Sequence, residues 1–427
     1  MSDDSIRHAI LSAGPDDGDW TDVLRRVTRT HHRRQVYGAV LLSALVIVGA
    51  ASAYALTHRG HPWCKAPTSE AWKRALASHV VDLSRRVSVT PLAVADDGHS
   101  FYAELVSKSY SGIVRIDART SHFLKIQRIP RPDMFQADGS ADGRWFVWVD
   151  AWRDKASGPD YPKWEMWSWD SRTGRLRKIA AEQNAALDGD WQPAFSVGDG
   201  YAVWSQSVSG MDSDLHAVNL STGRDRVVYH GSVQATPLLL PGHATLWNEL
   251  IWEPAGKTVK LAAVNALTGK RVAVPRTVRG LRGSSATSFA TDGRAFIYLA
   301  PLPRHSLYSA GSLLWSPSLA TKPWRIFTLR RGMIGAELAG RYVLFSTDTY
   351  GEKTGARRTT YLGDATTSSY VKISSSSGGA LLGNKALVLK EPPALKEPSP
   401  AEIAKAVTGV TFLPVESFPA IRSCPSQ

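Results

Sequence analysis

The chain contains 427 residues, of which 43% are hydrophobic and 21% are charged. This length allows a large hydrophobic core, and so many charged residues exclude a protein that crosses a membrane many times. Lys and Arg outnumber Asp and Glu by 13, a surplus that attracts anionic partners.

Residues 1–35 form a distinct segment. They contain six Arg and six Asp, so their formal charge is zero. Trp20, Val23, Leu24 and Val27 follow the spacing of one helical face, which predicts a short amphipathic helix. Such a helix can lie on the inner surface of a membrane through its Arg residues, or it can dock a cytoplasmic partner.

Residues 36–56 contain no charged residue in 21 positions. A helix of this length spans about 31 Å, enough for the roughly 30 Å hydrocarbon core of a bilayer. Five Arg lie between positions 25 and 34, whereas only Arg59 and Lys65 follow the run closely. The positive-inside rule therefore predicts one transmembrane helix, with a cytoplasmic N-terminus and everything after residue 57 outside the cell.

A cleaved signal peptide is the alternative, because Ala51-Ser52-Ala53 resembles a cleavage site. However, 35 residues precede the apolar run, which is far more than a signal peptide usually carries there, and this favours an uncleaved anchor. Residues 57–79 are then expected to be a juxtamembrane linker with a short helix, and residues 80–424 an extracytoplasmic domain.

The positive surplus belongs to the chain after residue 35, which holds 45 of the 51 basic and 32 of the 38 acidic residues. The expected partner is an envelope protein or an anionic or glycan polymer. Nucleic acid is not expected outside the cell. The alternative is a bias in composition that serves no specific partner.

A glycine that leads into an apolar strand recurs through the outer domain. Asp142-Gly143 before Trp145-Phe146-Val147-Trp148 is a clear copy. Seven such glycines follow one another at intervals of 42 to 57 residues: Gly98, Gly143, Gly200, Gly242, Gly293, Gly340 and Gly383.

A hairpin turn alternates with these glycines. It reads as Asp or Asn followed four positions later by Gly, residues that readily adopt the backbone conformations of tight turns. Clear copies are Asp170 to Gly174, Asn219 to Gly223 and Asn265 to Gly269.

A repeat of about 47 residues that holds some four strands is typical of a β-propeller blade. The seven glycines predict an all-β domain with seven blades, and six blades are the alternative. No clear fourth strand follows the strand at 408–413. Residues 80–90 are therefore expected to supply it and to close the ring.

The two cysteines of the chain, Cys64 and Cys424, bracket the outer domain. A disulfide is chemically permitted outside the cytoplasm, and at these positions it would tie the ends of the ring together. Two unpaired thiols are the alternative.

The Asp-Gly turns and Thr-Gly hairpins resemble the WD40-like repeats of TolB-type propeller proteins. The N-terminal part, with Trp20 and Val23-Leu24-Arg25-Arg26 before an Arg-rich stretch and an apolar helix, is similar to single-pass membrane proteins of actinobacteria. The propeller resemblance covers residues 85–418. Its motifs are structural turns, so it implies a fold and carries no catalytic residues.

No Gly-x-Ser-x-Gly, His-Glu-x-x-His or Cys-x-x-Cys motif occurs, nor does a glycine-rich phosphate loop. We therefore predict no catalytic residue, no metal site and no cofactor.

The connection between the second and third strands of the second blade is the candidate ligand site. Exposed rings can stack on the apolar faces of a sugar or peptide while charges fix its orientation. Structural packing of the rings is the alternative. The predicted ligand-binding residues are Trp152, Asp154, Tyr161 and Trp164.

Together these features predict a membrane-anchored, extracytoplasmic propeller that acts as a ligand- or protein-binding module of the cell envelope, for sensing or scaffolding, without catalysis. A propeller enzyme acting on envelope glycans or peptides is the alternative, because this fold hosts both kinds of activity. Acidic groups within hydrogen-bond reach of one another at the channel mouth, with shifted pKa values, would favour the enzyme.

Overall fold

A computed structural model describes a set of segments that all lie in one compact unit, His61–Gln427. The predicted cytoplasmic segment 1–35 and transmembrane helix 36–56 lie outside the described residues. In the part of the chain that is described, no helix is long and apolar enough to cross a membrane. The described residues are 63–83, 87–129, 134–153, 162–181, 193–209, 212–240, 242–253, 256–274, 289–291, 295–301, 311–317, 324–329, 333–351, 355–374, 380–391 and 409–423.

Three short elements open the domain: β1 (Cys64–Ala66), α1 (Glu70–Ser78) and β2 (Val80–Val81). The hydroxyl of Ser69 caps α1 by accepting a hydrogen bond from the backbone N of Trp72 at 3.4 Å. The Trp72 ring is buried and lies 5.7 Å from the ring of Phe418. The helix therefore packs its apolar face against the C-terminal end of the chain.

Three antiparallel sheets of four strands follow in chain order. Their strands are β3 (Ser88–Val94), β4 (Ser100–Val106), β5 (Ser111–Asp117) and β6 (Phe123–Arg128) in blade one; β7 (Met134–Asp142), β8 (Trp145–Arg153), β9 (Pro162–Asp170) and β10 (Leu176–Ala181) in blade two; and β11 (Phe195–Gly198), β12 (Tyr201–Ser209), β13 (Asp212–Asn219) and β14 (Asp225–Gly231) in blade three.

Blades four and five continue the pattern. They consist of β15 (Gln234–Leu239), β16 (Ala244–Glu253) and β17 (Gly256–Asn265), then β18 (Phe289–Thr291), β19 (Phe296–Pro301), β20 (Gly311–Ser316) and β21 (Trp324–Leu329). Among the described residues of blade four, a single bridge between Val264 and Arg271 stands in the place of a fourth strand.

Blades six and seven complete the ring. They consist of β22 (Met333–Ala339), β23 (Tyr342–Gly351), β24 (Gly355–Asp364) and β25 (Ser369–Ser374), then β26 (Ala380–Leu382), β27 (Ala386–Glu391) and β28 (Gly409–Pro414). A 3-10 turn, Val415–Ser417, follows the last strand.

Seven sheets confirm the prediction of an all-β, seven-bladed propeller over the six-bladed alternative. The first strands of successive blades contact one another around most of the ring, and β26 contacts β3. The last blade thus meets the first, and the first strand of each blade lies nearest the central axis.

Strands from the N-terminal part of the domain are built into its last two blades. Val80 and Val81 pair antiparallel with β28, so this half of the predicted closure is confirmed. The other half is wrong, because Ser88–Val94 forms the first strand of blade one, where Val89 lies opposite Leu105 and both are buried. β1 adds a fifth strand to blade six by pairing parallel with β25.

The hydrophobic core lies between blades, because both faces of each sheet are covered by neighbours. At the junction of blades one and two, the rings of Tyr102 and Phe146 stack with centroids 4.1 Å apart. At the next junction, Val147 and Trp164 of blade two share a cluster with Trp204 of blade three.

The turns between the first two strands of a blade also link neighbouring blades. The carboxylate of Asp199 accepts a hydrogen bond from the backbone N of Gly242 at 2.7 Å, and Asp96 accepts one from the backbone N of Gly143. Gly143 and Gly242 have φ of +52° and +79°, which only glycine adopts readily. At these two positions the repeated glycine lies in the turn that receives the link from the preceding blade.

Candidate functional site

The sequence-predicted ligand residues fall on and between β8 and β9 of blade two. Asp154 and Tyr161 lie outside the described residues. Trp152 and Trp164 are 9% and 6% exposed, so the ring exposure expected of a stacking platform is not found for these two.

The reason is strand alternation. Trp152 shares a face of β8 with Trp148, which packs against blade one. Trp164 lies opposite Ala151 in the register and belongs to the cluster between blades two and three. The two rings therefore point towards different neighbouring blades, and a ligand role for this set stays a prediction.

A groove of about 200 Å³ opens between blades two and three, beside the hairpin turns that join their last two strands. Its lining residues are Arg144, Trp145, Ser168, Asp170, Thr173, Arg175, Arg177, Leu220 and Ser221. Three of these side chains are cationic and one is anionic, so the formal charge of the lining is +2.

One of the three cations is already neutralised. Arg144 donates hydrogen bonds to both carboxylate oxygens of Asp170, with 2.6 Å between Nε and Oδ1. Its guanidinium also lies 4.8 Å from the centre of the Trp145 ring, a favourable cation–π position. The Arg144 guanidinium holds the pKa of Asp170 well below its usual range, so this carboxylate is ionised and paired at neutral pH.

The other two cations, Arg175 and Arg177, form no ion pair with any described residue. The Nη1 atom of Arg177 is buried and has no hydrogen-bond partner there. A charged donor that is withdrawn from water and unpaired costs free energy, more than the roughly 1–3 kcal/mol of a neutral group. The groove thus presents positive charge with no partner within the described chain.

A second cluster of charged groups lies near the other end of blade two. Asp150 of β8 is 5% exposed, stands opposite Glu165 of β9, and its Oδ1 has no hydrogen-bond partner among the described residues. Burial raises the pKa of Asp150 to about 7, and the neighbouring carboxyl groups of Glu104 and Glu165 act in the same direction.

This acidic cluster extends towards blade seven. Burial raises the pKa of Glu104, and the charge of Lys390 opposes that rise. The Nζ of Lys390 donates a hydrogen bond to Oγ1 of Thr90 at 3.0 Å. No hydrogen bond joins any two of Glu104, Asp150 and Glu165 in the structure as described. Of the two features expected of an enzyme, the shifted pKa is therefore present, and hydrogen bonding between the acidic groups is not found among these three residues.

No group of three or more His, Cys, Asp or Glu side chains in the described segments is arranged to hold a metal ion. The acidic cluster offers a carboxyl group whose pKa burial raises to about 7, and the groove offers guanidinium groups without an ion pair in the described residues. These are different chemistries at two ends of one blade.

The groove was not predicted from the sequence, although the sequence carries a signal for it. Thr173-Gly174-Arg175-Leu176-Arg177 and Thr222-Gly223-Arg224-Asp225-Arg226 place two Arg directly after successive hairpin turns. The repeat of basic residues after the turn glycine indicates a charged edge, whereas only the structure shows which of them lack a partner.

No family model matches the chain, and no curated protein matches it. Solved structures do match. The β-propeller domain of the Trilobed protease from Pyrococcus furiosus is 12% identical, with a TM-score of 0.51 over 77% of this chain and 95% of that one. Its ring has an open velcro topology, whereas β2 pairs with β28 across the seam here.

Two further solved structures are similar. An oligogalacturonate lyase from Vibrio parahaemolyticus is 9% identical, with a TM-score of 0.50 over 78% of this chain and 92% of that one. TolB from Acinetobacter baumannii is 11% identical, with a TM-score of 0.39 over 84% and 86%. The first two matches, with TM-scores of 0.51 and 0.50, support the β-propeller fold and at these identities leave function open.

Proposed function

We propose that this protein is a binding module of the cell envelope that engages an anionic polymer, such as an acidic glycan, through its propeller. The basic groove between blades two and three carries the proposal, because Arg175 and Arg177 have no ion pair in the described residues. The surplus of basic residues after position 35 acts in the same direction over a longer range.

Binding of an anionic polymer can be measured with the purified full-length protein. We expect it to co-sediment with polygalacturonate or polyphosphate at low salt and to be released as salt rises, because screening weakens exposed charge pairs. Neutral dextran is the matched control. Equal binding to dextran, or none to either anionic polymer, would refute the proposal.

The membrane topology is part of the same proposal. The uncharged run 36–56, preceded by Arg residues, supports a single-pass anchor with the propeller outside the cell. Protease added to intact cells should degrade the chain after residue 57, and disruption of the cells should add cleavage only before residue 36. Full protection of the propeller in intact cells would overturn this topology.

A disulfide between Cys64 and Cys424 is proposed as a clasp on the ring. Cys64 pairs with Ser369 in the register, and the Ser369 hydroxyl donates to the carbonyl O of Arg422 at 3.0 Å. Cys424 lies outside the described residues, two positions after Arg422, and two residues of chain reach at most about 7 Å. The described residues contain no free cysteine.

The clasp predicts that unreduced, unfolded protein takes up no alkylating reagent and that reduced protein takes up two equivalents. Cys64→Ser should then expose one reactive thiol and lower stability by about 2–4 kcal/mol, the usual contribution of a disulfide. Two reactive thiols in the unreduced wild type would contradict the clasp.

A propeller enzyme acting on envelope glycans or peptides is the second candidate. The observation that favours it is Asp150, a buried carboxyl group with a pKa of about 7, as a general acid requires. One similar structure is an oligogalacturonate lyase, so acidic glycans are reasonable substrates to test. Product formation that is lost in Asp150→Asn, while polymer binding is kept, would favour the enzyme.

A further inference from the structure

Blades two and three each place an Arg three residues after the glycine of the hairpin turn. These residues are Arg177 after Gly174 and Arg226 after Gly223. In blade three the Nη1 of Arg226 donates a hydrogen bond to the carbonyl O of Leu267, in the turn of blade four. At this junction the Arg is a structural link between blades.

Arg177 reaches the corresponding turn of blade three without making that link. Its guanidinium lies against the backbone of Gly223. A side chain at this position would clash with Nη1, because even a Cβ has no room there. Ser221 occupies the position that Leu267 has in the next turn, yet its carbonyl O accepts no hydrogen bond from Arg177, whose Nη1 is buried without a partner in the described residues.

We propose that the groove between blades two and three binds one oxyanion group, a carboxylate or a phosphate, through Arg175 and Arg177. This inference rests on the proposed function and names the site and the chemical group. A guanidinium presents a planar fork of donors that fits carboxylate and phosphate oxygens. An oxyanion in the groove would supply the charge partner that the Arg177 guanidinium lacks in blade three.

The groove selects for charge more than for sugar hydroxyls. The hydroxyl of Thr173 already donates to Asp170 at 2.9 Å, and that of Ser221 donates to Asn219 at 2.6 Å. The donors open to a ligand are thus the guanidinium of Arg175 and the remaining donors of Arg177, whose Nη1 is buried. A volume of about 200 Å³ is below the roughly 300–1,000 Å³ of drug-sized pockets, which fits one charged unit of a polymer.

The test compares Arg177→Gln with Arg226→Gln, because the two Arg occupy equivalent positions in neighbouring blades. Binding of a galacturonate oligomer and of polyphosphate to the full-length protein would be measured by calorimetry. We expect Arg177→Gln to weaken binding of the recognised anion at least about 10-fold, as loss of a charge-assisted hydrogen bond does. Arg226→Gln should bind like the wild type and melt at a lower temperature.

A second measurement separates this inference from the proposed function. Hydrogen exchange with galacturonate or inorganic phosphate should show protection of amides in residues 173–178, and Arg177→Gln should abolish it. Protection of these amides without binding of either polymer would refute the proposed function and support the oxyanion site. Polymer binding without protection, or equal weakening by both variants, would overturn the site and keep the function. Response to only one of the two anions would identify the group.

Discussion

Blade two contains two buried aspartates whose carboxyl groups behave in opposite ways. Asp150 and Asp170 are 5% and 2% exposed and lie towards opposite ends of the hairpin formed by β8 and β9. Burial raises the pKa of Asp150 to about 7, whereas Arg144 holds the pKa of Asp170 well below its usual range. Burial alone therefore does not decide the charge of a carboxyl group.

The difference lies in the partners. Asp170 receives hydrogen bonds from Arg144, from the Thr173 hydroxyl and from the backbone N of Arg172. Asp150 has a buried Oδ1 with no partner in the described residues, and its titrating neighbours are the carboxyl groups of Glu104 and Glu165. The partners of Asp170 therefore stabilise its ionised form, whereas the surroundings of Asp150 favour its neutral form.

Of four substitutions in blade two, Asp150→Asn should have the largest effect, on how the free energy of unfolding depends on pH. The folded pKa is raised above the ordinary value of 3.8, so the stability that this group contributes is present below pH 4 and is lost as pH rises to about 7. A shift from 3.8 to about 7 corresponds to about 4 kcal/mol as an upper value. The free energy of unfolding in urea should fall less between pH 4 and pH 8 in the variant than in the wild type. The same fall in both proteins would contradict the raised pKa of Asp150.

Arg144→Gln should make Asp170 resemble Asp150. Removing the cation leaves a buried carboxylate without its charge partner, and we expect a loss of about 3 kcal/mol at pH 7. The loss should shrink in acid, where Asp170 can take up a proton. Arg172→Gln, at an exposed position of the same turn, is the control and should unfold like the wild type. Equal destabilisation by both variants would refute the role of the pair.

Asp170→Asn should have a smaller effect, because Asn219 and Asn265 occupy this turn position in blades three and four. The turn is kept, and the Arg144 side chain, 35% exposed, can return to water. We expect a loss of about 2 kcal/mol at pH 7. A depressed Asp pKa contributes stability above pH 4 that is lost as pH falls, so the two proteins should converge in acid. A constant difference across pH would count against the ion pair.

Thr173→Val should have the smallest effect. The hydroxyl of Thr173 donates one hydrogen bond to Asp170 at 2.9 Å, and valine has nearly the same shape. We expect a loss of about 1 kcal/mol, the usual contribution of such a bond, measured as a shift of the urea midpoint. A loss greater than that of Asp170→Asn would show that Thr173 does more than support the carboxylate.

The blade number was predictable from the sequence because its landmarks have a local physical cause. Gly98 and Gly200 have φ of +77° and +76°, and this left-handed conformation favours glycine. Because this conformation is a property of each turn alone, the number of such glycines predicts the number of blades without information about tertiary contacts.

The candidate site was not predictable in the same way. Trp152 and Trp164 belong to strands that are buried on both faces, so alternation along the sequence does not separate exposed rings from packed ones. Similarly, Arg177 and Arg226 follow the same sequence pattern. Whether a side chain meets an acceptor depends on the turn of the next blade, which is set by tertiary structure.

The seam of the ring has a consequence for the order of events during synthesis. Val80 and Val81 pair with Gly409–Pro414, so some 330 residues must be made after β2 before its partner exists. At about 5–20 residues per second, this takes on the order of 20–60 s. Blade seven is therefore the last to form, and β2 remains without its final partner until β28 has been made.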